Sequence, residues 1–228
     1  PEPSATSVVD PQVMQDVVES VFPAPGDGVL RAIRLTQFAR QNGIQKCGGE
    51  PGPLDSTANR PNQALFPNLN LIRERGFAEH EYIQDEDRRL EGTRPNCNLL
   101  PDVPRAEDWH NAQAAWERDV VSAAEADKAL APLKAPMAQC LSDRVGKQID
   151  PEMPAWSFLK LADVEMLSTD DWNSRGEQVW ANAYADCGKD YFARFGEVLM
   201  KQRPALIERN RELLAEFAAG LVKAGYVP

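Results

Sequence analysis

Two histidines among 228 residues leave little room for histidine chemistry. Neither His80 nor His110 is accompanied by a serine or cysteine motif that marks a nucleophile, and no G-x-S-x-G occurs. The chain has four cysteines, none of them in a C-x-x-C pair, so the spacing of a Cys/His zinc site is missing. No glycine-rich phosphate loop follows a strand pattern, which leaves nucleotide cofactors unsupported. Positive charge is short: 25 Lys and Arg face 35 Asp and Glu, a net charge of −10, and the basic residues are scattered along the sequence. Such a balance repels phosphate backbones and anionic lipid surfaces and argues against nucleic acid as a partner. No apolar run approaches the roughly 20 residues that span a bilayer. No pair of strand patterns is joined by a hairpin turn, so the expected class is all-α, an irregular helical bundle with long stapled loops.

What is present is helical periodicity. Trp180, Tyr184, Cys187, Tyr191, Phe195 and Val198 recur at spacings of three and four, one face of a single long helix. A break or kink is expected near Gln202 to Pro204, after which Leu206, Ile207, Leu213, Leu214, Phe217, Leu221 and Val222 form a terminal helix closed by Lys223 and Gly225. Asp10 and Pro11 open a short helix with Val13, Met14, Val17, Val18 and Val21 along one side. A second helix spans Val29 to Gln41, with Leu30, Ile33 and Phe38 inward and Asn42-Gly43 as its stop. Asn68 to Arg75 makes a short helix ended by Gly76. Arg105 to Leu130 makes a long one around Trp109, Ala112, Trp116, Val120, Ala123 and Ala124, followed by helices at Leu133 to Val145 and Ser157 to Leu167. Asp170, Asp171 or Ser174 caps the long helix, and the five tryptophans are expected mostly in the core.

Between these lie irregular stretches. Residues 1–9 are rich in Pro, Ser and Thr and read as a flexible linker suited to a tether; the start at Pro1 instead of Met leaves room for a signal peptide, lipobox or membrane anchor upstream. Residues 10–104 form a helical, loop-rich part and 105–228 a helical bundle, expected to be continuous with each other. Lys46 to Pro67, crowded with Gly and Pro, and Arg94 to Pro104, with three prolines, are loops, each containing one cysteine. Four cysteines suggest two structural disulfides in an exported protein, the alternative being four buried thiols in a cytosolic one. Three pairings exist. Order along the chain, one bridge per half, selects Cys47–Cys97 and Cys140–Cys187, each closing a loop of about 50 residues and contributing on the order of 4 kcal/mol.

Cys140-Leu141 with Gly146, Ala185-Asp186-Cys187 with Tyr191, and Leu206-Ile207-Glu208-Arg209-Asn210 together resemble a set of uncharacterised exported lipoproteins and cell-surface proteins of actinobacteria. Asn68 to Tyr82, with Gly76-Phe77, is similar to their aromatic-glycine part. The resemblance covers about half of the chain. It implies an exported, disulfide-bonded helical protein and transfers no catalytic residue.

Candidate chemistry is sparse. Glu79-His80-Glu81 followed by Asp85, Glu86 and Asp87 offers metal ligands, but on a helix His80 and Asp87 stand two turns apart, so the run reads as a solvated charged face. His110 receives no role. Asp170, Asp171 and Glu177 near Trp172 and Trp180 supply the paired carboxylates and aromatic wall of a secreted hydrolase, the alternative function. The leading expectation is a non-enzymatic extracytoplasmic binding or protein-interaction module of the cell envelope. It has no cofactor, metal or catalytic residue, and its partner is an unidentified protein or envelope ligand. Its candidate binding loop comprises Gly48, Gly49, Glu50, Pro51, Asp55 and Asn59, with the Arg94 to Pro104 loop beside it.

Overall fold

The computed structural model describes residues 9–50, 63–77, 93–168 and 174–228. Among these residues the protein is all-α, an irregular bundle of nine helices. Helix α1 (Pro11–Val21) starts as its sequence dictates: the Asp10 carboxylate accepts the Gln12 N–H, and Pro11 occupies the first turn, where its missing N–H costs nothing. Helix α2 (Gly28–Lys46) follows a short turn. In α3 (Leu69–Arg75), Asn68 Oδ1 accepts the Leu71 N–H at 2.9 Å, and Gly76 ends the helix at φ +71°. Helix α4 (Ala106–Ala126) runs to Asp127, whose carboxylate accepts the N–H groups of Ala129 and Leu130 in the turn that leads into α5 (Ala131–Val145). Then come α6 (Pro154–Ser168), α7 (Ser174–Cys187), α8 (Lys189–Arg209) and α9 (Arg211–Lys223).

Helix α1 packs on α2, α4 and α9, while α5 packs on α6, α7 and α8, and α4 touches both α8 and α9. One buried apolar cluster runs through Val17, Trp116, Leu141, Phe158, Tyr184 and Phe217. Within it Tyr184 stacks on Phe158 at 5.4 Å and meets Phe77 edge-on at 5.8 Å between ring centroids.

The end of α1 is secured by partners from far along the chain. Its last carbonyls and those of the turn after it have no helical N–H to accept. Gln113 of α4 donates to the Ser20 carbonyl at 3.0 Å, Arg203 Nε of α8 to Phe22 at 2.7 Å, and Trp116 Nε1 of α4 to Pro23 at 2.8 Å. Arg203 also pairs with Glu19 at 2.8 Å, both side chains nearly buried. Asp16, 1% exposed, accepts the Tyr226 hydroxyl and the Arg31 guanidinium, each at 2.8 Å, and ties the C-terminal segment to α1 and α2.

Several expectations are corrected. The long helix around Trp180 is two helices, interrupted at Gly188, where a Cβ would press on the Phe192 ring and the Tyr184 carbonyl; the apolar stripe nevertheless continues across the interruption. The expected break at Pro204 does not occur. Helix α8 continues through it to Arg209, so Leu206 and Ile207 belong to α8, and the break falls at Asn210. Met200, four residues before Pro204 and 51% exposed, lies on the solvent side, where water can satisfy the carbonyl that proline leaves unpaired. Asn42-Gly43 does not stop α2, which runs on to Lys46. Leu30 and Trp156, expected in the core, are exposed.

Candidate functional site

Two disulfides are formed. Cys140 of α5 is joined to Cys187 at the end of α7, and Cys47, at the end of α2, to Cys97, with Cα–Cα distances of 5.6 and 5.7 Å. The second bond fixes the segment 93–105 against the C-terminal end of α2, and several polar contacts repeat the attachment. Arg94 donates its backbone N–H to the Cys47 carbonyl at 2.9 Å and its guanidinium to the Lys46 carbonyl at 2.8 Å. Asp102 N–H is accepted by Asn42 Oδ1 at 2.9 Å, and Lys46 Nζ reaches the Leu100 carbonyl at 3.3 Å. The approach is closest at Gly43, where a Cβ would run into the carbonyl of Leu99. Glycine is therefore required here by the loop that crosses the helix, with no unusual backbone angle involved.

This stapled loop walls one end of a cleft of about 660 Å³. On one side α2 presents Val29, Ala32, Thr36, Ala39 and Arg40, a stripe at helical spacing made mostly of small side chains. On the other α4 presents Trp109, His110, Gln113 and Glu117, also one helical face. Phe66 and Pro23 complete the apolar lining, and residues 98–101 close the end. The void exists because alanines on α2 face a tryptophan on α4 that is already committed elsewhere. Trp109 stacks on Phe217 with centroids 5.0 Å apart and planes 7° from parallel, which holds its ring against α9. Its indole N–H is buried without a hydrogen-bond partner.

The two helices run antiparallel. Helix α4 begins just after the loop that lies on the C-terminal end of α2, and its Gln113 and Trp116 reach the turn between α1 and α2. Arg40 and His110 therefore share the stapled end of the cleft, and Glu117 lies toward the other. Cleft volume, predominantly apolar walls and a few polar groups are the usual attributes of a small-molecule site.

Of the candidate binding loop, Gly48, Gly49 and Glu50 follow Cys47 directly, while Pro51, Asp55 and Asn59 lie outside the described residues. The loop 94–104 lies against α2, and its residues 98–101 face the cleft. His80, Asp85, Glu86 and Asp87 lie outside the described residues, as do Asp170, Asp171 and Trp172 of the hydrolase set. Glu177, the remaining carboxylate of that set, has its side chain against Gly76 at the end of α3. Among the described residues no group of three or more His, Cys, Asp and Glu is placed to hold a metal ion. His110, given no role from sequence, stands at the cleft. The signal missed was the pairing of stripes: Val29, Ala32, Thr36, Ala39 in α2 and Trp109, Gln113, Glu117 in α4 are regular in sequence, but nothing local says that they face each other across a gap.

Titration is shifted in the core. Burial raises the Tyr184 phenol well above its ordinary value, with Tyr191 adding to the shift, and burial also raises Tyr191. Tyr226 is raised by burial first and then by its hydrogen bond to Asp16. No family model, curated protein or solved structure matches the chain.

Proposed function

We propose that the protein is a non-enzymatic extracytoplasmic binding or protein-interaction module of the cell envelope, and that it binds its ligand in the cleft between α2 and α4 at the stapled loop. The observation that carries this reading is the seating of the loop. Cys47–Cys97, Gly43 and four polar contacts hold residues 94–102 on α2, and the loop so fixed forms the end wall of the cleft. A rigid scaffold that presents an irregular, covalently anchored loop beside an apolar concavity is a preorganised binding arrangement, because the ordering entropy of the loop is spent on folding and not on association.

Two disulfides support an oxidising compartment. The resemblance to exported actinobacterial lipoproteins points the same way, and the Pro-, Ser- and Thr-rich residues 1–9 suit a tether to a membrane anchor. No helix among the described residues is long and apolar enough to cross a membrane.

The test replaces Asn98-Leu99-Leu100 with Gly-Ser-Gly and compares what the two proteins retain from a solubilised envelope extract, identifying proteins and small molecules by mass spectrometry. The wild type is expected to retain a component that the loop variant loses while keeping its thermal midpoint within a few degrees. Identical retention by both proteins refutes the assignment of the loop and cleft.

A further inference from the structure

We infer that the cleft takes a single-chain amphiphile with one anionic head, such as a fatty acid, the chain lying along α2 and the head at the stapled end beside Arg40. This inference rests on the cleft being the binding site and adds the class of its ligand.

Shape comes first. The cleft is bordered along α2 from Val29 to Arg40, eleven helical steps, or about 16 Å at 1.5 Å per residue, and along α4 from Trp109 to Glu117, or about 12 Å. The concavity runs along two antiparallel helices and has room for an extended chain.

Its wall chemistry agrees. Val29, Leu99 and Leu100 give half-buried apolar surface over a floor of buried Ala32, Ala39, Phe66 and Trp109. Burying a methylene chain against such a surface is favourable by about 0.8 kcal/mol per CH₂. Arg40, Asn98 and His110 are the polar side chains at the stapled end, and Ser20, Thr36, Gln113 and Glu117 line the remainder.

Charge then orients the ligand. Although the whole chain carries −10, Arg40 of α2 lines the stapled end, while Lys46 and Arg94 donate to the carbonyls of Leu100 and Lys46 in the seated loop. Glu117 lies toward the opposite end, so a monoanion enters head toward Arg40 and not the reverse. His110 and Asn98 add hydrogen-bonding groups at the head position, and Trp109, whose buried indole N–H has no acceptor, borders the same end.

The experiment titrates the full chain with tetradecanoic acid, tetradecanol and the monoacyl phosphatidylglycerol of the same chain length by calorimetry. The wild type, Arg40→Ala, Ala39→Phe and Thr36→Leu are compared, and each is checked for a cooperative thermal transition. The acid is expected to bind the wild type at one site, about tenfold more tightly than the alcohol, and Arg40→Ala is expected to erase that preference, because a charge-assisted hydrogen bond is lost. Ala39→Phe, or Thr36→Leu should the former fail to fold, is expected to abolish binding of both. Comparison with the phosphodiester head decides the source: tighter binding of the acid marks a free fatty acid, and tighter binding of the lipid marks a monoacyl phospholipid.

Equal affinity for acid and alcohol, with binding still blocked by Ala39→Phe, overturns the head assignment and leaves the cleft as the site. Undiminished binding to a folded cleft-filling variant overturns the cleft itself. Failure of both anionic compounds to bind the wild type overturns the ligand class, while the cleft is then judged by envelope retention.

Discussion

The carbonyl oxygen of Leu99 lies directly over the Cα of Gly43, in the space that any side chain at position 43 would occupy. A loop that follows a disulfide and a helix that continues past an apparent stop are thereby packed backbone to backbone. At an unobstructed helical position, replacing glycine by alanine stabilises by about 0.5–1 kcal/mol. At Gly43 the added methyl meets backbone, which cannot rotate aside, so Gly43→Ala is expected to destabilise by about 1–3 kcal/mol in denaturant unfolding. A stabilised variant would show that the loop does not rest on the helix.

The disulfide beside this contact has a separable effect. Cys47→Ser/Cys97→Ser is expected to cost about 4 kcal/mol through the entropy of a loop of about 50 residues, and Cys140→Ser/Cys187→Ser a similar amount. The two differ locally. In hydrogen exchange under native conditions the Asp102 amide, held by Asn42 in the described fold, should lose protection in the first variant and keep it in the second.

Arg203 ties α8 to the start of the chain. It donates to the Phe22 carbonyl and pairs with Glu19, with side-chain exposures of 10% for Arg203 and 13% for Glu19. Arg203→Met leaves a nearly buried carboxylate and a carbonyl without this partner, with an expected loss of about 3–5 kcal/mol in chemical denaturation. Glu19→Gln in the same background should recover part of it, since an amide is less costly to bury than an uncompensated charge. No recovery would mean that Glu19 is not what the loss exposes.

Alkaline pH tests the Tyr226–Asp16 contact. The Tyr226 phenol is raised in the folded state above its ordinary value of 10.0, by burial and by donation to Asp16. The unfolded chain therefore releases this proton at lower pH than the folded chain. The stabilisation is fully present below pH 10.0 and declines as pH rises above it. Tyr226→Phe is expected to lower stability at neutral pH and to flatten the decline above pH 10, measured as unfolding midpoint against pH. An unchanged slope would contradict the contact.

Much of the helical content was legible because it is written locally. Asp10 with Pro11, Asn68 with Gly76, and the Trp109, Trp116, Val120 stripe each specify an element through a few neighbouring residues. Tertiary contact decided the errors. Gly43 looks like a helix stop until Leu99 is seen above it, and Pro204 looks like a break until its solvent-facing position is known. The interruption at Gly188 is hidden because Tyr184, Tyr191 and Phe195 keep helical spacing across it. The cleft was the least legible feature, because a void is a relation between two surfaces and neither α2 nor α4 encodes it alone. Arg94 and Lys46, far apart in sequence, meet where the loop joined through Cys47 and Cys97 is seated on α2.

The central claim is that the space between Ala39 and Trp109 is a binding site, and native mass spectrometry of the protein recovered from its own envelope fraction addresses it most directly. Wild type and Ala39→Phe would be purified in parallel without reductant or strong detergent. The account predicts a bound mass on the wild type that the folded variant lacks; the same bound mass on both, or none on either, would contradict it.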